Sequence, residues 1–161
     1  MRKSGFPPVI DKNTEILILG SLPSDISILK GEYYANPQNQ FWNIIFTIFN
    51  NGVQIVDYKE KLTLLLKNKI GLWDVLTEAN RPGSLDSNIK QEVLNDFSGL
   101  FIDYPKIKLL AFNGDKAFNL YVKNREGIAQ KEMVRLTSSS PANTNKTVSL
   151  KIKEWQVALT Q

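Results

Sequence analysis

The stretch "EILILG" (residues 15–20) decides the fold. It is a short, almost continuous apolar run that ends at a glycine, as expected of a strand buried on both faces of a parallel sheet. Three later runs resemble it: "IGLWDVL" (70–76), "IKLLAFNG" (107–114) and "MVRLTSS" (133–139). The repeated pattern predicts four strands of one sheet.

Helical patterns fill the gaps between these runs. They are "QFWNIIFTIF" (40–49), "YKEKLTLLLKNK" (58–69), "SNIKQEVLNDFSGLFI" (87–102) and "DKAFNLYVKN" (115–124). A last amphipathic stretch, "SLKIKEWQVAL" (149–159), begins at Ser149, which we expect to be its N-cap. Strands that alternate with helices favour right-handed crossovers. We therefore predict an α/β fold, a single domain over residues 1–161 built as a three-layer α/β/α sandwich around a central four-stranded parallel sheet.

The sequence contains no Cys and no His. A disulfide, a thiolate zinc site and a Ser-His-Asp triad are thereby excluded. The remaining chemistry must use carboxylates, amides, hydroxyls, lysines or backbone dipoles. No segment approaches the roughly 20 apolar residues of a membrane span, and the first residues lack an apolar signal region, so we expect a cytoplasmic protein with no membrane partner.

Charge is unevenly distributed along the chain. Residues 1–105 hold ten basic and twelve acidic side chains, whereas residues 106–161 hold ten basic and four acidic ones. A basic last third suits a polyanion such as a nucleic acid. It is equally consistent with a solvated, lysine-rich surface.

In open parallel sheets, ligands bind beyond the C-terminal ends of the strands. This rule selects four polar loops: "GSLPSD" (20–25), "LTEANRPGS" (76–84), "FNGD" (112–115) and "TSSSPANTN" (137–145). We expect these loops to surround one crevice, and "YYANPQNQFW" (33–42) to face it.

Three features near this crevice allow a functional and a structural interpretation. The backbone N–H groups after Gly20 could bind an anion or a polarised carbonyl, or could belong to an ordinary turn. Asn39 could orient a water or a base edge beside the ring of Tyr34, or could cap the helix that follows. The serines of 138–140 could hydrogen-bond a developing oxyanion or a phosphate, or form a plain polar loop.

The carboxylates do not form the opposed pair of an ordinary glycosidase, because neither "GSLPS" nor "SSSPAN" contains an acid. Five of them lie near the predicted rim: Asp25, Asp74, Glu78, Asp86 and Asp115. Asp74 is distinct, because it interrupts an apolar strand and would need a partner if buried.

Four motifs, in this order and spacing, resemble the uracil-DNA glycosylase superfamily. They are "GSLPSDISILKGEYYANPQNQFW" (20–42), "GLWDVL" (71–76), "RPGSLDSNI" (81–89) and "LTSSSPAN" (136–143). The chain is most similar to the mismatch-specific branch of hypoxanthine-DNA (DNA-deoxyinosine) glycosylases. The resemblance implies an α/β/α fold and a monomer that flips a damaged base out of double-stranded DNA. It also implies hydrolysis of the N-glycosidic bond with no metal and no cofactor.

The resemblance further implies roles for individual residues. The catalytic candidates are Asn39, which would position the attacking water, and Ser140, which would hydrogen-bond phosphate or base. The expected substrate-binding residues are Gly20 and Pro23 as members of the first loop, Ser21, Leu22 and Ser24 through its backbone N–H groups, Tyr34 through stacking, and Trp73, Asp74 and Asn113 by analogy of fold. The expected DNA-binding residues are Ser138, Ser139, Pro141, Ala142 and Asn143.

Four positions depart from the family pattern. Leu22 replaces an Asp or Asn that handles water in many relatives, and Asn36 stands where a His is expected. Gln38 replaces an Arg, which removes a phosphate contact, and Thr137 replaces a Pro, so we expect a less rigid loop there. Ala142 is too small to be a strong wedge in the DNA stack.

The prediction is a monofunctional DNA glycosylase that acts on hypoxanthine first, and on uracil or xanthine second, without a lyase step. One alternative is a nucleic-acid-binding module of the same fold with weak or no catalysis. Another is a small enzyme that hydrolyses free nucleosides in the same crevice.

Overall fold

A computed structural model describes residues 2–161, and the first apolar run forms a fully buried strand at the centre of its main sheet. The strands are β1 (Arg2–Ser4), β2 (Ile16–Gly20), β3 (Ile70–Asp74), β4 (Leu76–Asn80), β5 (Lys90–Leu94), β6 (Leu109–Asn113) and β7 (Glu132–Leu136). The helices are α1 (Asp25–Lys30), α2 (Phe41–Phe49), α3 (Tyr58–Lys67), α4 (Phe97–Asp103), α5 (Asp115–Lys123) and α6 (Val148–Leu159), with a short 3-10 helix at Asp86–Asn88. None of the helices within residues 2–161 is long and apolar enough to cross a membrane.

The main sheet has the strand order β3–β2–β6–β7, and all three pairings are parallel. The register places Gly20 beside Asp74 and Asn113 beside Leu136, so the C-terminal ends of the strands lie at one edge. The predicted four-stranded parallel sheet is confirmed.

Each face of this sheet carries its own core. Ile16 and Ile18 of β2 pack with buried side chains of α2, α3 and α6. Leu17 and Leu19 pack on the other side with buried side chains of α4, α5 and β4. Because successive strand residues point to opposite faces and both faces are covered, β2 must be apolar at every position. The predicted three-layer α/β/α sandwich is therefore confirmed.

The helix predicted over residues 87–102 is wrong in its first half. Residues 90–94 form β5, which pairs antiparallel with β4, and β4 pairs antiparallel with β1 in a second, three-stranded sheet. "KQEVL" consists mainly of good helix formers, but Gln91 has a φ of 52°, which a right-handed helix excludes. Tertiary pairing with β4 overrides the local preference.

The start of α6 also differs from the prediction. The N-cap is Thr147, whose hydroxyl accepts a hydrogen bond from the Leu150 N–H at 3.3 Å, so the helix begins before Ser149. This helix reaches the loop after β7 through Trp155, which is fully buried. The indole of Trp155 donates to the Thr137 carbonyl at 3.0 Å and meets the Phe41 ring edge-on at a centroid distance of 5.8 Å.

We expect Trp155→Ala to lower the free energy of unfolding by about 3–5 kcal/mol, because it opens a cavity and leaves the Thr137 carbonyl without its donor. Denaturant titration measures this change. Val157→Ala, at a 68% exposed position of the same helix, should stay within about 0.5 kcal/mol of the parent. Equal effects of the two substitutions would contradict the role of Trp155 as the core contact of α6.

Candidate active site

A cavity of about 460 Å³ opens at the C-terminal edge of the main sheet, a size typical of ligand sites. All but one of the site residues predicted from the sequence line it. They are Gly20, Ser21, Leu22, Pro23, Ser24, Tyr34, Asn39, Asp74, Asn113, Ser138, Ser139, Ser140, Pro141, Ala142 and Asn143. The fold thus brings together loops that are more than 120 residues apart in the sequence.

Trp73 is the predicted residue that does not line the cavity. Its indole donates to the Phe6 carbonyl at 3.1 Å, and its ring packs edge-on against Phe97 at 5.2 Å. Asp74, the next residue of β3, lines the cavity. Adjacent strand residues point to opposite faces, so the two side chains cannot share the site.

The floor of the cavity depends on the absence of a side chain at Gly20. A Cβ atom there would lie 2.7 Å from Asp74 Oδ1 and 3.0 Å from the Tyr34 hydroxyl. The position therefore requires glycine, and the carboxyl and phenol groups meet directly above the backbone of β2.

Asp74 is 4% exposed, and its Oδ2 has no hydrogen-bond partner within residues 2–161. Burial and the nearby Asp86 raise the pKa of Asp74 to about 7, against the opposing effect of the Arg81 guanidinium. A large fraction of Asp74 is therefore neutral near pH 7 and carries a hydroxyl proton.

Tyr34 has a left-handed backbone with a φ of 55°. Its neighbours hold it there: the Tyr33 N–H donates to the Tyr58 hydroxyl at 3.0 Å, and the Ala35 N–H donates to Ser27 Oγ at 3.1 Å. The Tyr34 ring stacks on Phe41 at a centroid distance of 3.9 Å and an interplanar angle of 17°. Burial raises the pKa of the Tyr34 phenol, which keeps it neutral.

Asn39 bonds to the start of α2 and keeps unused hydrogen-bonding groups. Its Oδ1 accepts the Phe41 N–H at 2.9 Å, so the side chain satisfies a free donor at the start of α2. Its Nδ2 donates to no acceptor within residues 2–161, and Oδ1 keeps a second lone pair. The helix thus fixes the amide while part of its hydrogen-bonding capacity remains for a water or a ligand.

Asn113 connects the loops around the cavity. Its Nδ2 donates to Ser139 Oγ at 2.9 Å and lies 3.3 Å from the Tyr34 hydroxyl, and its Oδ1 accepts the Ser139 N–H at 2.9 Å. The Gln40 N–H donates to the Ser139 carbonyl at 3.0 Å. Because both donors of Asn113 are already used, its capacity for a ligand is the remaining lone pair of Oδ1.

The serine loop, residues 137–143, is firmly anchored. The Thr137 N–H and hydroxyl both donate to the Glu154 carboxylate of α6, and Lys151 Nζ donates to the Asn143 carbonyl at 2.9 Å. A proline at position 137 could not donate an N–H. These hydrogen bonds tie the loop to α6, and the lower rigidity expected of Thr137 relative to proline stays a prediction.

Within the loop, hydroxyl oxygens accept backbone N–H groups. Ser138 Oγ accepts the Ser140 N–H at 3.1 Å, and Ser140 Oγ accepts the Ala142 N–H at 3.2 Å. Each hydroxyl keeps its own proton for donation. The loop can therefore present O–H donors to an anion.

A second wall of the cavity continues the loop 76–84 that was expected beside the crevice, although its residues were not predicted as site residues. It is formed by residues 81–88, which we call the arginine loop, and its Ser84, Leu85 and Asp86 line the cavity. Arg81 is 1% exposed and donates to the carbonyls of Leu22, Pro23 and Gly83. Arg81 begins the motif "RPGSLDSNI", but nothing in the sequence predicts that its side chain is buried and bonded to backbone carbonyls.

The arginine loop orients the loop after β2. Arg81 holds the Pro23 carbonyl, so the Ser24 N–H of the same trans peptide points away from the guanidinium. Asp86 Oδ1 accepts the Ser21 hydroxyl at 2.6 Å. The N–H groups of Ser21, Leu22 and Ser24 donate to no acceptor within residues 2–161, so they remain available to a ligand with an acceptor atom.

The sequence matches the family model described as the Uracil DNA glycosylase superfamily over residues 7–159. It is 50% identical over 143 residues to a hypoxanthine DNA glycosylase of Methanosarcina acetivorans, covering 89% of each chain. A hypoxanthine DNA glycosylase of Methanosarcina barkeri is 51% identical over 117 residues, which cover 73% of this chain and 74% of that one. A G/U mismatch-specific uracil DNA glycosylase of Schizosaccharomyces pombe is 29% identical over 65% of this chain and 30% of its own.

The fold is similar to a solved structure. The solution NMR structure of a candidate uracil DNA glycosylase from Methanosarcina acetivorans superposes with a TM-score of 0.84 at 46% sequence identity, covering 99% of this chain and 97% of that one. Because the family model matches nearly the whole sequence and a relative shares half of its residues, the chain belongs to the uracil DNA glycosylase superfamily.

Proposed function

We propose that this DNA N-glycosylase removes hypoxanthine from double-stranded DNA by binding the flipped-out base in the cavity and attacking the sugar with a water positioned by Asn39. The observation that carries the proposal is the combination, in one cavity, of Asn39, the stacked Tyr34 ring and unused backbone donors. The hypoxanthine DNA glycosylases that share half of the sequence support the choice of base.

The chemistry follows from what such a cavity stabilises. When the bond from the sugar C1′ to the base nitrogen breaks, both electrons leave with the base and the sugar acquires positive charge. Donors aimed at the base stabilise negative charge that appears only in the transition state. The free N–H groups of Ser21, Leu22 and Ser24 are such donors. Water then adds to C1′ and releases a proton to the solvent, and the anionic base takes up a proton in turn, which completes hydrolysis without an amine nucleophile or a lyase step.

Asp74 adds a donor of a different kind. Its neutral carboxyl group offers one O–H donor and one carbonyl acceptor, and Oδ2 has no competing partner within residues 2–161. Hypoxanthine presents a ring carbonyl and an adjacent N–H, which pair with these two functions. Uracil and xanthine carry the same arrangement, so we include them as secondary substrates.

Further parts of the proposal concern DNA and cellular context. The serine loop, through Ser138, Ser139 and Ser140, contacts the phosphate backbone or the base, and Pro141, Ala142 and Asn143 lie near the vacated stack. Ser140 is assigned to catalysis as a hydroxyl donor. The enzyme works as a monomer in the cytoplasm, without a metal or cofactor.

A second candidate function rests on Leu22. This side chain is 7% exposed, lines the cavity and offers no polar atom where many relatives carry an Asp or Asn. A protein that binds duplex DNA at the same cavity with weak or no cleavage would fit that substitution. Duplex DNA cleavage separates the two functions.

Asn39→Ala should lower the single-turnover rate of inosine excision by about 100-fold or more, the usual cost of losing a positioned polar group in an active site. The assay uses duplexes with one labelled inosine, uracil or xanthine, and alkali to reveal abasic sites. Asn43→Ala is the matched control, because Asn43 is an exposed asparagine of α2, the helix that follows Asn39, and lies outside the cavity. Loss of the contact to the Phe41 N–H adds about 1 kcal/mol of destabilisation, so rates are compared well below the melting temperature.

A rate for Asn39→Ala within threefold of the parent would remove Asn39 from the mechanism. Absence of cleavage of all three bases by the parent protein, with duplex binding retained, would favour the binding module.

Excision should decline by about tenfold per pH unit above about pH 7, because the donor proton of Asp74 is lost there. In Asp74→Asn the amide donates at every pH, so this decline should disappear from single-turnover rates measured between pH 5.5 and 9. A decline that persists unchanged in Asp74→Asn would belong to another group or to the substrate.

Asp74→Asn should also stabilise the fold, more at pH 8 than at pH 4. The pKa of this carboxyl is about 7 in the folded protein and about 3.9 in an unfolded chain. Between these two pH values Asp74 is ionised in the unfolded chain but still neutral in the folded protein, so the free energy of unfolding falls as the pH rises. This decrease is complete above pH 7. We expect Asp74→Asn to raise the free energy of unfolding by roughly 1–4 kcal/mol at pH 8. Denaturant titrations at pH 4 and pH 8 measure this difference. Equal increases at the two pH values would contradict the burial of an ionisable Asp74.

A further inference from the structure

Base flipping leaves a gap in the duplex, and an apolar side chain that enters the gap prevents the base from returning. The serine loop has little to offer for this purpose. Pro141 and Ala142 are exposed at its tip, and Ala142 carries a single methyl group. A larger side chain is needed elsewhere around the cavity.

Leu85 meets this description. It is 55% exposed, and among the exposed large hydrophobic residues of 2–161 it is the one that lines the cavity. Because Leu85 is exposed at the rim of a polar cavity, it contributes little to the hydrophobic core. Its side chain is free to contact whatever approaches the cavity.

Hydrogen bonds hold the backbone around Leu85. The Gly83 carbonyl accepts hydrogen bonds from Arg81 and from Lys3, whose side chain is 7% exposed. The Leu85 carbonyl accepts the Asn88 N–H at 3.0 Å.

Two more contacts complete this support. Ser84 Oγ accepts the Asp25 N–H at 3.0 Å, and Asn88 Nδ2 donates to the Pro82 carbonyl at 3.0 Å. Holding the backbone in place lowers the conformational entropy that is lost when its side chain binds. The arginine loop therefore presents one apolar side chain from a hydrogen-bonded backbone beside the cavity.

We propose that Leu85 is the residue that enters the DNA stack when the lesion is flipped into the cavity, with the serine loop gripping the backbone. This inference rests on the proposed function and deepens it. Leu85 then acts on the duplex rather than on the bond that breaks, so its contribution is largest where extrusion is hardest.

The experiment follows base extrusion separately from cleavage. A duplex carries 2′-fluoro-deoxyinosine, whose fluorine disfavours positive charge on the sugar and blocks excision, with 2-aminopurine on its 3′ side. Unstacking of 2-aminopurine raises its fluorescence when the neighbouring base leaves the helix. The variants are Leu85→Ala and Leu85→Met, and Leu29→Ala is the matched control because Leu29 is an 86% exposed leucine of α1 outside the cavity.

We expect Leu85→Ala to reduce the fluorescence rise at least threefold, Leu85→Met to restore most of it, and Leu29→Ala to match the parent. Inosine excision by Leu85→Ala should fall at least tenfold more on a duplex than on a single strand. Because the site is exposed, the substitution should not unfold the protein, and a thermal melt checks this.

An equal fluorescence rise for the parent and Leu85→Ala, or no rise for the parent, would overturn the role of Leu85. An equal loss of excision on single and double strands would overturn it as well. The fluorescence signal is independent of cleavage, so failure of the glycosylase proposal appears instead as a parent protein that flips the base and forms no abasic product from inosine.

Discussion

The candidate site depends on how closely side chains approach the backbone at the end of β2. Asp74 Oδ1 and the Tyr34 hydroxyl occupy the space that a Cβ of Gly20 would need. Asp74 is brought there by the parallel register of β3 with β2, and Tyr34 by the stacking of its ring on Phe41 of α2. The hydrogen bonds from Asn113 to Ser139 extend the same arrangement to the serine loop. A single missing side chain therefore allows four segments of the chain to meet.

Polar anchors placed outside the cavity fix its two walls. Arg81 holds the carbonyls of the loop after β2, and Glu154 and Lys151 of α6 hold the serine loop. A buried guanidinium bonded to carbonyl groups satisfies its donors without removing N–H groups from the cavity. Conversely, Asp74 is buried without such satisfaction, which is an arrangement that favours ligand binding over stability.

The sequence predicts the parts of this structure that depend on local pattern. Continuous apolar runs such as 15–20 identify strands covered on both faces, and the rule that ligands bind beyond parallel strands locates the loops of the cavity. What the sequence does not show depends on tertiary contacts. β5 forms from helix-favouring residues because β4 pairs with it, and Trp73 turns into the core because strand residues alternate. The hydrogen bonds that anchor Thr137 come from Glu154, 17 residues away.

The left-handed backbone of Tyr34 is held in place by the packing of its own ring. A non-glycine residue in this region carries strain of about 1–3 kcal/mol, and Gly or Asn would adopt the same φ of 55° more easily. Either replacement would relieve the strain but would also remove the ring that stacks on Phe41 and packs against the core. The aromatic ring at the cavity thus stabilises the backbone conformation that presents it, so chemistry and folding depend on the same side chain.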